Sequence, residues 1–285
     1  MTLHKMRGYF FALFMLVFKN NMLYILILLG LFVGGITGVT GASGVLVLVP
    51  ILSTFFNVPL PIILGTSLLV DVIASIAVSF TYARAKNLDI KGTLWILIGA
   101  LLGAQMGSFY VVSVSRIFIM FVLAVCMIFF GIKMWQSGST NHRHQALVVP
   151  EKISFYFKTP IGMILSGLII GLTTGIFGAG GGLTVFIVLY SFLDFPLKKA
   201  VGTSSFIMLL TALSGVFGYS KYGNLDISLG LIIGISAAVG GALSSIFANK
   251  IDEQFLARII GGFFIFFALV MLLLKVSLPL FNLYF

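Results

Sequence analysis

Two stretches decide how this chain folds: Gly38-Val39-Thr40-Gly41-Ala42-Ser43-Gly44 and, 137 residues further on, Gly175-Ile176-Phe177-Gly178-Ala179-Gly180-Gly181-Gly182. Each sits in the middle of apolar sequence. Unwound backbone at membrane depth survives only where it is buried in protein or lines a wet cavity, because each unpaired peptide group costs several kcal/mol in lipid. Each break also exposes the N-terminus of the arm that follows it, whose free N–H groups and positive dipole end favour an anion. Glycine lets that backbone approach a ligand closely.

Moving outward, the same offset of 137 carries Gly65-Thr66-Ser67 onto Gly202-Thr203-Ser204 and Asn87-Leu88-Asp89-Ile90 onto Asn224-Leu225-Asp226-Ile227. Tyr82 falls on Tyr219 and Pro59 on Pro196. The chain is therefore two copies of one unit. An offset this long is no solenoid repeat, whereas duplicated halves around a central site are the recurring plan of secondary transporters.

Composition fits that plan. Of 285 residues 60% are hydrophobic and 8% charged, against roughly a quarter charged in soluble domains. Disordered chains, nucleic-acid-binding domains and disulfide scaffolds are excluded, and the long apolar stretches exclude an outer-membrane barrel. What is left is an all-α polytopic membrane protein with Gly-broken helices. The net charge of +10 comes from Lys and Arg placed mostly between apolar stretches, where they act as topology signals. The single Cys126 allows no disulfide within one chain.

The expected organisation is an interfacial N-terminal helix over 1–21, a first repeat over 22–136, a cytoplasmic linker over 137–159, a second repeat over 160–276 and a tail over 277–285, whose last residues look like a tag remnant. Helical stretches are expected from Met22 to Thr37, Val45 to Phe56, Leu60 to Ala83, Gly92 to Val112 and Arg116 to Trp135. The second unit repeats them from Pro160 to Thr174, Gly182 to Phe192, Leu197 to Ser220, Ser228 to Asn249 and Gln254 to Lys275. That makes eight to ten membrane segments, depending on how each broken pair is counted. If the arms form a re-entrant hairpin the repeats are inverted; if they form one crossing the repeats are parallel. The charge pattern is the more asymmetric on the parallel count. Arm length favours the inverted one, since two arms end to end exceed the hydrocarbon thickness of about 30 Å.

The anion site is expected between the breaks, from the amides of Gly41, Ser43 and Gly44 and of Gly178, Gly180, Gly181 and Gly182. Thr66, Ser67, Thr203 and Ser204 add hydroxyls. The apolar helices hold no Lys or Arg near their middles, so the site would hold its anion without a fixed cation. Such a weak, multi-donor site suits a protein that must release its cargo. The Gly99/Gly103/Gly107 ridge has the small-xxx-small spacing of close helix packing instead.

The two Gly-rich segments, Pro59 and Pro196, the doubled Gly-Thr-Ser, and Tyr82 and Tyr219 ahead of Asn-Leu-Asp-Ile together resemble the TauE/SafE family of sulfite exporters, from about Gly30 to Leu274. The resemblance implies export or uptake of small sulfur-containing anions such as sulfite, thiosulfate or organosulfonates across a bacterial or archaeal cytoplasmic membrane. The first half departs from the family pattern. Ser43 and Val45 stand where it has glycine, whereas Gly180-Gly181-Gly182 keeps all three.

Asp71 is the one acid inside an apolar helix, and Met208 is its counterpart in the second unit. Intramembrane acids are costly and usually functional, so Asp71 is the candidate for coupling to a proton, set against a neutral carboxyl bonded to a nearby Ser or Gln105. Arg84 and Lys221, each two residues past the paired tyrosines, read as snorkelling anchors or as attractors of anions to a vestibule. Asp89 and Asp226 are placed to cap the next helix. The alternative functions are a passive anion channel and, more remotely, an intramembrane hydrolase using Gly41-Ala42-Ser43-Gly44. A serine nucleophile needs a base within reach, and His4, His142 and His144 all lie in terminal or linker sequence. No enzyme activity, cofactor, metal site or nucleic-acid partner is expected; the partners are lipid, a small anion and a coupling proton.

Overall fold

The computed structural model describes residues 22–56, 58–110, 116–138, 157, 159–177 and 181–281. Among these the chain forms ten α-helices and no strand. They are α1 (Met22–Thr40), α2 (Val45–Phe55), α3 (Leu60–Arg84), α4 (Leu94–Tyr110), α5 (Arg116–Ser137), α6 (Pro160–Phe177), α7 (Gly182–Ile187), α8 (Leu197–Lys221), α9 (Ile227–Lys250) and α10 (Glu253–Phe281). Five of the described helical segments, 22–40, 60–84, 197–221, 227–250 and 253–270, are long and apolar enough to cross a membrane. The expected N-terminal helix, most of the linker and the end of the tail lie outside the described residues.

Four boundaries differ from expectation by more than two residues. Helix α1 continues past Thr37 to Thr40, and α6 past Thr174 to Phe177. A helical glycine costs about 1 kcal/mol against alanine, but here the glycines are where another helix comes closest. A Cβ on Gly34 would overlap the Ala237 carbonyl, and one on Gly38 would meet Ser244 and the Gly241 carbonyl. Close packing outweighs propensity, and the true break shortens to Gly41–Gly44. The arm after the second break is α-helical only to Ile187 and closes with a π-helical turn, Val188–Phe192. Helix α10 runs on to Phe281.

The units interlock rather than sit side by side. Helix α1 packs along α9, and α6 along α4, so each unit's first helix lies on the other unit's fourth. The contacts correspond one to one. Gly30 and Gly34 abut the Ile233 and Ala237 carbonyls, while Gly167 and Gly171 abut those of Ile96 and Ala100. Gly240 presses on the Leu31 carbonyl and Gly103 on that of Leu168. The Gly99/Gly103/Gly107 ridge thus has its partner in α6. With no hydrophobic drive between helices in lipid, such backbone approach is what joins them. Helices α3 and α8 pack on each other in the centre, and α5 pairs with α10.

Candidate functional site

The first break begins at Gly41, whose φ of +67° is the left-handed region open to glycine at no steric cost. The Gly41 N–H still donates to the Thr37 carbonyl at 2.8 Å, and the Ala42 N–H donates to Thr40 Oγ1 at 3.0 Å. Helix α2 then starts at its N-cap Gly44, and its first donors point at Asp71, which is fully buried on α3. The Gly44 N–H donates to Asp71 Oδ1 at 2.9 Å. The Ser43 hydroxyl bonds Asp71 Oδ2, and Ser43 Oγ accepts from the Val45 N–H at 3.2 Å. A helix N-terminus favours an acceptor of its free N–H groups, and here the chain supplies that acceptor itself in the Asp71 carboxyl group. Ser43 is thus a serine beside Asp71, and Gln105 Nε2 donates to the Ser214 carbonyl and hydroxyl at 2.9 and 2.8 Å.

The two breaks meet at Gly41. A Cβ there would overlap Ser204 Oγ, and a Cβ on Gly182 would overlap the Gly41 carbonyl and come within 2.6 Å of Met208 Sδ. Gly181, at φ +74°, precedes α7 and accepts from the Val185 N–H at 2.9 Å. Gly41, Gly182 and Ser204 thus form one junction between the units. Gly178 and Gly180 lie outside the described residues.

The two Gly-Thr-Ser segments serve mainly as a reciprocal clasp. Thr203 Oγ1 accepts from the Asp89 N–H at 3.0 Å, and Thr66 Oγ1 from the Asp226 N–H at 3.1 Å. A Cβ on Gly65 would overlap the Asn224 carbonyl, and one on Gly202 the Asn87 carbonyl. Each Gly-Thr therefore docks on the other unit's Asn-Leu-Asp. The serines are bonded alike within their helices, Ser67 to the Leu64 carbonyl at 2.8 Å and Ser204 to the Val201 carbonyl at 2.9 Å. To hold an anion either hydroxyl must turn its proton from that carbonyl, a rotation a hydroxyl makes freely.

Asp226 caps α9 by accepting from the Leu229 N–H at 2.9 Å, and Asp89 accepts from the Gly92 N–H at 3.0 Å. Arg84 and Lys221 are exposed in the last turns of α3 and α8, with the Arg84 guanidinium 4.4 Å from the centre of the Phe80 ring. Both lie at helix ends and away from the junction.

Several contributors are missed by sequence reasoning. The Tyr82 hydroxyl donates to the Gly38 carbonyl at 3.0 Å and Tyr219 to the Gly175 carbonyl at 3.2 Å, tying each central helix to the helix before the break. Asn87 Nδ2 donates to Asn249 Oδ1 at 2.6 Å, and Lys198 Nζ to the Asn249 carbonyl at 2.9 Å. Ser75 and Ser79 are buried on α3 beyond Asp71. Their four-residue spacing from Asp71 is the signal that could have found them.

A family model described as sulfite exporter TauE/SafE matches residues 26–275. The chain belongs to the TauE/SafE family. Among relatives, it is similar to the probable membrane transporter protein YunE of Bacillus subtilis, 26% identical over 82% of this chain and 92% of that one. A probable membrane transporter protein of Methanocaldococcus jannaschii is 27% identical over 88% of this chain and 96% of its own. YdhB of Bacillus subtilis, again a probable membrane transporter protein, is 24% identical over 85% and 100%. No solved structure matches significantly. As a TauE/SafE member with several apolar helices, the chain is a multi-pass membrane protein of a transporter family.

Proposed function

We propose that this protein is a secondary transporter that moves a small sulfur-containing anion, sulfite, thiosulfate or an organosulfonate, across the cytoplasmic membrane. The anion binds where the breaks meet, around Gly41, Ser204 and Gly182, and rocking of the interlocked units alternates its access. The observation that carries this reading is the junction itself. It brings unwound glycine backbone from both units together with a hydroxyl in the buried centre of an apolar bundle. The first break's donors at Ser43 and Gly44 are engaged by Asp71, so the cargo falls to the Gly181–Gly182 side.

Thermal shift of detergent-purified protein with sulfite and with thiosulfate tests this, since a ligand that binds only the folded state stabilises it by mass action. Ser204→Ala removes one hydrogen bond to the anion, worth about 1.5–3 kcal/mol, and is expected to weaken binding about ten- to hundred-fold. Gly182→Ala, whose Cβ meets the Gly41 carbonyl, is expected to remove binding. Unchanged affinity in both variants overturns the placement, and flux through proteoliposomes that never saturates overturns the carrier in favour of a pore.

A further inference from the structure

Ser75 and Ser79 follow Asp71 along α3 at successive four-residue steps, so the three side chains share one helix face. All are buried, with exposures of 0% for Asp71, 0% for Ser75 and 5% for Ser79. Other hydroxyls on α3 and α8 turn back to helix carbonyls, as Ser67, Thr81, Ser205 and Thr211 do. Those of Ser75 and Ser79 do not: neither has a hydrogen-bond partner among the described residues. A buried hydroxyl left unpaired costs about 1–3 kcal/mol. Packing does not demand it, because the same positions of α8 hold Ala212 and Val216, with Met208 in place of Asp71.

The spacing fits water. A four-residue step advances about 6 Å along a helix, close to two hydrogen-bond lengths, which is the span of one bridging water. Beyond Ser79 the helix emerges at the exposed Ala83 and Arg84. The ionisable side chains on the helices packed against α3 stand near their ends: Tyr24 on α1, Lys198, Lys199, Tyr219 and Lys221 on α8, and Lys250 on α9, with none on α2. Tyr82 and Arg84 close α3 itself.

We propose that Asp71, Ser75 and Ser79, joined by bridging waters, form a proton path along α3 that loads Asp71 from the end of the helix marked by Arg84. This rests on the transporter reading and adds its coupling ion and the ion's route. A proton enters at the Ser79 end, each water passes one on, and the last is taken by the Asp71 carboxylate. One O–H bond forms for each one broken, and one positive charge has moved inward. The Ser43 hydroxyl then accepts from the carboxyl instead of donating to it. Gly44 N–H keeps a neutral acceptor in place of a charged one, a bond about half as strong, so loading Asp71 loosens the first break.

Two measurements on the full chain test the path. In infrared difference spectra after a pH jump, which need no cargo, a protonated-carboxyl band that Asp71→Asn removes is expected. In the Ser75→Ala, Ser79→Ala double variant it is expected to form about a hundred-fold more slowly, the scale on which a positioned proton-transfer group acts. The double variant is also expected to unfold no more easily than the unaltered protein. Absence of the band, or equal rates, overturns the path. In proteoliposomes, exchange of labelled sulfite at equal pH is expected to survive the double substitution while uptake driven by a pH gradient falls. Full gradient-driven uptake by the double variant overturns the path; so does uptake driven by a sodium gradient alone. Failure of sulfite and thiosulfate exchange in the unaltered protein counts against the cargo reading instead, and the spectra still decide the path.

Discussion

Helices α3 and α8 are the same element made twice. Both run for 25 residues from a proline, Pro59 or Pro196, and each is followed, two residues past its end, by a left-handed residue, Lys86 at φ 59° or Gly223 at φ 69°. Each docks its Gly-Thr on the other unit's Asn-Leu-Asp, and each sends a tyrosine back to the helix before the break. They part on one face, where Asp71, Ser75 and Ser79 stand against Met208, Ala212 and Val216. What the copies share holds the bundle together. What they do not share divides the labour on the reading proposed above, one break holding the chain's own carboxyl group and the other left for a cargo.

The sharpest way to break that comparison is to give α8 the acid. Met208→Asp puts a carboxylate beside Gly182, where two like charges about 4 Å apart repel by about 4 kcal/mol at an effective dielectric of 20. Sulfite affinity is expected to fall about a thousand-fold, measured by thermal shift or calorimetry. Equal affinity would return the cargo to some other part of the molecule. A smaller effect probes the shared half. Gly65→Ala and Gly202→Ala each drive a methyl into a backbone carbonyl, and each is expected to cost about 3 kcal/mol in denaturant titrations in detergent micelles. A loss in one but not the other would show that the clasp is not reciprocal. Smallest is the loss of a single hydroxyl: Tyr82→Phe and Tyr219→Phe are expected to cost about 1 kcal/mol each. Unequal costs would locate a second asymmetry between the breaks.

The membrane class, the 137-residue duplication and most helix bounds were legible because they depend on local composition and on self-similarity. Partners were not. Gly99, Gly103 and Gly107 announce a closely packed helix, but nothing in their spacing says that it is α6, in the other unit. Thr66 and Thr203 illustrate the same limit, since a threonine's identity does not say whether its oxygen faces a ligand or, as here, the N–H of Asp226 or Asp89. Asp71 could be singled out from its setting alone, as the one acid inside an apolar helix. Its bonds to Ser43 and Gly44 depend on how the break turns, which a run of glycines leaves open. Helix α1 outlasted its expected end because the Gly34 and Gly38 contacts with α9 are made across more than 190 residues of chain.

That last pairing has a consequence for how the protein is made. The glycine face of α1 matches the carbonyls of α9 and is poorly filled by lipid chains, yet α9 is synthesised about 200 residues later. At roughly 5–20 residues per second, α1 waits on the order of ten to forty seconds in the bilayer for its mate, while α6 finds α4 already there. The first half of the chain is thus the vulnerable one during biogenesis, open to capture by other nascent helices or by quality-control proteases. A break in synthesis after the first unit would leave a fragment that has inserted but cannot finish folding.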